Sequence, residues 1–247
     1  MKDTRLIMGM PITIDVVDNT AQPDDLEQIF RYFNYVDEKF SPYKASSELS
    51  FFNQGRIKPR DFSPDMAEIW RLSEITKKDT NGYFDIQRPD GSYNPSGLVK
   101  GWAIYQAAEL LRHQGFKNYY VAAGGDIQVS GSNYQAKPWT VGIRNPFKPQ
   151  EIIKILTLNN QGIATSGTYE RGQHIYNPKL NGQPITDIIS LTVVGPNVFE
   201  ADRFATAAFA MGKAGINFIE QQFGLEGYLI DKQGLATLTS GLSKYFN

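Results

Sequence analysis

Asp202 and Thr206 stand four residues apart in FEADRFATAAFAMG, residues 199–212. In a helix, one turn stacks that carboxylate and that hydroxyl on the same face. Both are hard oxygen donors, and no cysteine or second histidine lies nearby, so the pair favours Mg2+ over Zn2+. A structural reading stands beside this one: an aspartate in a first helical turn is favoured by the dipole, and a threonine can bond back to a carbonyl.

Other clusters carry chemistry-bearing residues on irregular backbone. In NPSGLVKG, residues 94–101, a tight turn leads into a helix start and Lys100. Free N–H groups, a positive dipole end and a mobile ammonium suit a phosphate, although the same pattern also makes a plain N-cap followed by a solvated lysine. AAGGDIQVSG, residues 122–131, sets two glycines and an aspartate inside a strand pattern, which marks a bulge or a close approach by a ligand or another backbone. GIATSGTYERGQHIYNP, residues 162–178, holds Thr165, Ser166, Gly167 and His174. Of the two histidines, His113 precedes Gly115 at a helix end and caps carbonyls there, whereas His174 lies in a polar loop with no such duty. It is either a catalytic group or a structural one. No G-x-S-x-G motif is present, which argues against a serine hydrolase. Tyr43 and Tyr83 have faces suited to stacking on flat rings, or to ordinary rim packing.

The elements that must position these groups follow from periodicity. LIMGMPITIDVV alternates and is rich in Ile and Val, which predicts a strand. Leu26, Ile29, Phe30, Phe33 and Val36 predict an amphipathic helix over 24–39. FSPYKASSELSFFNQG reads as a loop. Ser63 and Pro64 start a second helix facing inward through Met66, Ile69 and Trp70, and LVKGWAIYQAAELLRHQG is a third, stopped by Gly115. NYYVAAGGDIQVSG, WTVGIRNP, IIKILTLNNQGIATSG and ISLTVVGP are strand-like runs. The 199–212 stretch supplies the fourth main helix, INFIEQQFG a short one, and EGYLIDKQGLATLT a closing hairpin. Without a strict βαβ rhythm, this order predicts an α+β fold with substantial antiparallel pairing.

Composition narrows the function classes. The 247 residues are 41% apolar and 21% charged, with 25 basic against 26 acidic side chains. The net charge of −1 argues against a nucleic-acid binder, and the absence of cysteine excludes disulfides, thiol nucleophiles and thiolate metal sites. No apolar run approaches the roughly 18 residues that would span a membrane. The N-terminal stretch lacks the apolar block and cleavage site of a signal peptide, so a cytoplasmic protein is expected; an exported form that had lost its leader would look the same.

Taken in order, MGMPITI, FSPYKASSELSFFNQG, NGYFDI, NPSGLVKGWAI, AAGGDIQVSG, IATSGTYERGQHIYNP and ADRFATAAFAMG resemble the ApbE family of FAD-dependent, Mg2+-requiring FMN transferases, from about Met8 to Gly212. The resemblance implies one T-fold-like α+β domain over residues 1–247, with a mixed, largely antiparallel sheet and packed helices. It implies FAD as substrate, Mg2+, and transfer of the FMN half to a Thr or Ser hydroxyl of an acceptor flavoprotein with release of AMP. Some relatives instead hydrolyse FAD to FMN and AMP, and a flavin carrier without turnover is a further alternative. Position by position, Asp202, Thr206 and the carbonyl near Gly97 correspond to metal ligands. Met8, Tyr43, Tyr83, Phe84, Asp85, Asn94 and Lys100 correspond to FAD contacts, and Ser166 and Gly167 line the same cleft. His174 and Asp202 correspond to the catalytic pair; His174 either takes a proton from the incoming hydroxyl or stabilises developing charge. The alanines at 205, 207 and 208 then let the helix come close enough for its oxygens to reach a metal shared with the pyrophosphate. Asn94 and Asn177 stand where the family often has Asp, Tyr105 where Asp is frequent, and Ala205 where some members carry a further acidic ligand.

Overall fold

LIMGMPITIDVV forms not one strand but most of a hairpin. In the computed structural model, which describes residues 1–168, 175–180 and 182–246, strand β1 (Lys2–Ile7) turns through Met8 and Gly9 into β2 (Met10–Val16). Both turn residues have positive φ, 56° and 71°, as a two-residue hairpin loop demands. The turn is invisible to periodicity because Met8 falls in phase with Met10, Ile12, Ile14 and Val16. The same device splits AAGGDIQVSG: Gly124 and Gly125, at φ 55° and 94°, join β3 (Tyr119–Ala123) to β4 (Asp126–Ser130). The glycines therefore make a turn and not a bulge within a strand.

Further along come β5 (Trp139–Asn145), β6 (Lys148–Leu158), β7 (Gly162–Gly167), the short β8 (Tyr176–Asn177) and β9 (Gln183–Pro184), β10 (Ile188–Gly195), β11 (Glu226–Asp231) and β12 (Ala236–Leu238). IIKILTLNNQGIATSG, which reads as one run, is thus the end of β6, a turn through Asn160 at φ 55°, and β7. Eight strands form the main sheet in the order β1-β2-β3-β4-β7-β10-β11-β12, with every neighbouring pair antiparallel. β5 and β6 pair only with each other, as do β8 and β9.

The helices are α1 (Pro23–Phe40), α2 (Glu48–Asn53), α3 (Pro64–Asp79), α4 (Ser96–His113), α5 (Val198–Ala210) and α6 (Gly215–Glu220). The stretch that reads as a loop contains α2, whose single turn and a half is too short to show a period; its N-cap Ser47 accepts a hydrogen bond from the Ser50 N–H. Ser63 caps α3 as its sequence predicts, and Gly115 ends α4 in the left-handed region at φ 94°. Among the described residues no helix is long and apolar enough to cross a membrane.

The helices and the β5–β6 hairpin cover opposite faces of the sheet. Along β3, Val121 and Ala123 enter the core built by α1 and α4, whereas Ala122 joins the core of Trp139, Val141, Leu156 and Leu158. Along β10 and β11, Leu191, Val193 and Leu229 pack under α5 and α6, whereas Val194, Tyr228 and Ile230 face the hairpin side. Alternation of this kind fixes the register, because a one-residue slip would exchange the two faces.

One polar knot ties the helical layer together. The Glu48 carboxylate accepts from the Ser63 N–H and hydroxyl, both at 2.7 Å, and from the Lys39 ammonium at 3.1 Å, joining the ends of α1, α2 and α3. Burial pushes this carboxyl up, but the bonds from Ser63 and Lys39 outweigh it and hold the group below the usual glutamate range. Such a carboxylate stabilises the fold above its unfolded pKa, and the contribution is lost as pH falls through the folded value. Glu48→Gln is expected to cost about 1–3 kcal/mol in urea unfolding at pH 7, with the deficit shrinking below pH ~4. A deficit independent of pH would assign the loss to packing.

Candidate functional site

α5 is anchored at its start by contacts that tolerate no side chain. A Cβ on Gly162 would lie 1.9 Å from the Val198 nitrogen, so β7 meets the helix N-terminus backbone to backbone. Gln128 from β4 accepts the Val198 N–H at 2.8 Å, and Asn197 caps the helix by accepting the Glu200 N–H at 2.9 Å. α4 comes equally close from the other side. A Cβ on Gly101 would stand 2.6 Å from the Asp202 Cβ and 3.0 Å from the Val198 carbonyl oxygen.

That closeness sets the charges. Asp202, beyond the first turn of α5 and only 3% exposed, accepts the Gly101 N–H at 2.8 Å through Oδ2. Its Oδ1 lies 3.7 Å from the Lys100 ammonium, which sits 2.5 Å from Asp126 Oδ2. Asp126 opens β4, is 1% exposed, and accepts the Thr165 N–H at 3.0 Å through Oδ1. Lys100 is therefore not a solvated lysine but the cation between two buried acids. Burial raises the Asp202 carboxyl to about 7; the Lys100 charge opposes the shift and the nearby Asp126 carboxylate adds to it.

One turn after Asp202, Thr206 donates to the Gly97 carbonyl of α4 at 3.3 Å and stands 3.5 Å from the Ser166 hydroxyl of β7. The bond crosses to another helix and does not fold back on its own. Gly97 has room for no side chain here, since a Cβ would meet the Thr206 methyl at 3.0 Å. Carboxylate, hydroxyl and carbonyl thus face one place with oxygen donors alone. Among the described residues no three His, Cys, Asp or Glu side chains converge. An all-oxygen, incomplete set fits Mg2+, which keeps several waters and takes phosphate oxygens where a caged metal would need protein. Ala205, fully buried in the α5 core, adds no further ligand.

These groups lie on one wall of a cavity of about 570 Å3. Met8, Tyr43, Tyr83, Phe84, Asp85, Asn94, Gly97, Lys100, Ser166, Gly167, Asp202 and Thr206 all line it. Met8 enters from the strained β1–β2 turn. Tyr43 stands at the rim 94% exposed, with no protein ring or chain packed over it to occupy its faces. Phe84 is the opposite case, 4% exposed and part of the core behind Gly97. Asp85 pairs with Lys77 at 2.7 Å, and the Lys179 ammonium lies 4.7 Å from the Tyr83 ring centre. Asn94 Oδ1 accepts both the N–H and the hydroxyl of Ser96, so it caps the start of α4 while lining the cavity. His174 lies outside the described residues.

Sequence reasoning passed over Asp126 as a site residue, along with the lining side chains Met10, Arg88 and Arg144. The signal for Asp126 was present: an acid directly after a glycine turn, at the head of an otherwise apolar strand.

Comparison with known proteins gives a consistent neighbourhood. The sequence model described as the ApbE family matches residues 8–90 and 87–229. The chain is 27% identical over 283 residues to a FAD:protein FMN transferase of Haemophilus influenzae, covering 89% of this chain and 82% of that protein. A FAD:protein FMN transferase of Klebsiella pneumoniae is 33% identical over 156 residues; the match takes in 59% of this chain but only 44% of the relative's length. Among solved structures, the flavin transferase ApbE from Vibrio cholerae superposes with a TM-score of 0.88 at 22% identity, covering 100% of this chain and 99% of the other. At that identity the superposition speaks for the shared fold, a mixed α+β architecture built on a largely antiparallel sheet.

Proposed function

This chain belongs to the ApbE family, and on that premise we propose that it transfers FMN from FAD to a Thr or Ser hydroxyl of an acceptor flavoprotein, with Mg2+, releasing AMP. Residues 1–247 act in this reading as one flavin transferase domain. The observation that carries it is the meeting of Asp202, Thr206, the Gly97 carbonyl and Lys100 on the wall of a cavity whose rim presents the open faces of Tyr43. Cavities of about 300–1,000 Å3 are the size of small-molecule and cofactor sites.

The residues divide the work. Tyr43 and Tyr83 offer ring faces to the flat parts of the dinucleotide. Gly97, Asp202 and Thr206 hold the cation, which when bound supplies charge stabilisation at the diphosphate. Lys100 places its ammonium beside the same oxygens. The acceptor oxygen forms a new bond to the FMN-side phosphorus while the bond from that phosphorus to the bridging oxygen breaks, so that AMP leaves. The acceptor hydroxyl gives up its proton as the bond forms, and His174 is assigned as the base that takes it. Burial around Asp202 and Asp126 keeps water away from the charged wall, where electrostatic interactions are strongest.

Nucleotide chromatography of FAD with Mg2+, run with and without a candidate acceptor, tests this. FMN transfer gives flavin covalently bound to the acceptor with one AMP released per flavin attached. Free FMN and AMP in the absence of acceptor would instead make water the second substrate, and intact FAD in both arms would leave a carrier. His174→Ala is expected to slow transfer by about 10²–10⁴-fold with FAD binding retained.

A further inference from the structure

We propose that Asp126 is a positioning residue: it holds the Lys100 ammonium to itself and so leaves Asp202 open to a divalent cation. The inference rests on the functional reading above, but its test does not require turnover.

Three acidic or basic groups share this buried corner, and the distances rank their pairings. Lys100 Nζ is 2.5 Å from Asp126 Oδ2 and 3.7 Å from Asp202 Oδ1. A buried ammonium without a counter-charge is strongly unfavourable, so Lys100 stays with whichever carboxylate is available. Asp126 is held for that purpose. It sits in the main sheet directly after the Gly124–Gly125 turn, its other oxygen takes the Thr165 N–H at 3.0 Å, and it is 1% exposed. Lys100 and Asp202 line the cavity; Asp126 does not. Its carboxylate therefore acts through Lys100 and not on a ligand directly.

Removing the charge at position 126 changes the competition. The nearest remaining carboxylate for Lys100 is then Asp202, whose Oδ2 is committed to the Gly101 N–H at 2.8 Å and whose Oδ1 already faces the ammonium. An ammonium closing on Oδ1 occupies the oxygen that a cation needs. It also turns away from the diphosphate side of the cavity. Outer partners of this kind typically alter metal affinity or activity by about 10–100-fold.

The test uses Mn2+ as the probe. Free Mn2+ is followed by electron paramagnetic resonance as the whole chain is titrated in the presence of FAD. Four proteins are compared: wild type, Asp126→Asn, Lys100→Met, and the double variant, whose corner has lost both partners of the ion pair and so keeps the fold testable. Asp126→Asn is expected to weaken Mn2+ binding about 10–100-fold. In the Lys100→Met background the same substitution is expected to leave Mn2+ affinity unchanged, because no ammonium remains to be displaced. Asp126→Glu, which keeps the charge, is expected to recover part of the loss.

Wild-type Mn2+ affinity in Asp126→Asn would overturn the proposal. So would a loss that persists in full without Lys100, since Asp126 would then be a ligand or a purely structural group. If the wild-type chain binds Mn2+ with FAD yet never transfers FMN, the transferase reading fails and the positioning role stands. If it binds no Mn2+ with FAD, both fail.

Discussion

Asp202→Asn is expected to lower FMN release from FAD by about 10³-fold or more while raising the melting temperature of the ligand-free protein. A cation polarising a phosphoryl oxygen contributes several kcal/mol of transition-state stabilisation, and ~4 kcal/mol corresponds to ~10³ in rate. Asp202 is the only carboxylate of the proposed metal set, so its loss removes the only anionic protein ligand. The effect on stability has the opposite sign. Asp202 and Asp126 are 3% and 1% exposed and share the single ammonium of Lys100. One negative charge in that corner is uncompensated until a cation arrives. An asparagine keeps an acceptor oxygen for the Gly101 N–H, bonded at 2.8 Å, and removes the charge whose burial is unfavourable. AMP chromatography and calorimetric melting check the two halves. Near wild-type turnover would place the metal elsewhere, and activity and stability falling together would make Asp202 a framework residue.

This opposition explains why the opening pair was readable in the sequence while its setting was not. Asp202 and Thr206 lie on one helix, and a helix fixes which residues share a face, so spacing alone brings them together. Asp126 belongs to the same charge cluster but comes from a strand that the chain reaches through a different hairpin. Only the pairing of β3 with β4, and of β4 with β7, carries it to Lys100 and Thr165. Local pattern holds no record of that meeting.

Turns show the same limit. Helices α1, α3 and α5 are legible because each repeats its apolar face over several turns and starts at a recognisable polar or proline position. The Met8–Gly9 turn vanishes into the alternation on either side, and the Gly124–Gly125 pair looks like an irregularity within a strand. Both are two-residue loops, short enough that the strand pattern reads almost straight through them. Tyr43 was named from its neighbours in the sequence, but its exposure at the cavity rim depends on the loop before α2. There Ser47 donates to the Ser41 carbonyl at 2.7 Å, and Lys44 is pinned to Asp37 at 2.6 Å. Composition cannot supply such a contact.

Gly101→Ala is the second large expected effect, and two opposing terms decide it. Within a helix, alanine is favoured over glycine by about 1 kcal/mol. Against that, the new methyl would lie 2.6 Å from the Asp202 Cβ, 2.9 Å from its Oδ2 and 3.0 Å from the Val198 carbonyl oxygen. None of these is the far end of a flexible chain. Carbon atoms rest at roughly 3.5–4.0 Å, so α4 and α5 must part by about 1 Å or Asp202 must leave its rotamer. Overpacking of this kind costs about 1–3 kcal/mol, which exceeds the gain in helix propensity by a modest margin. The larger consequence falls on the site, because the displaced atoms belong to Asp202 itself. A misplacement of about 1 Å in a reacting arrangement costs around 10²-fold in rate. Gly101→Ala should therefore unfold at slightly lower urea than wild type yet turn over FAD about 100-fold more slowly, with a weaker response to added Mg2+. Should turnover stay near wild type while stability falls, the spacing between the two helices serves packing alone.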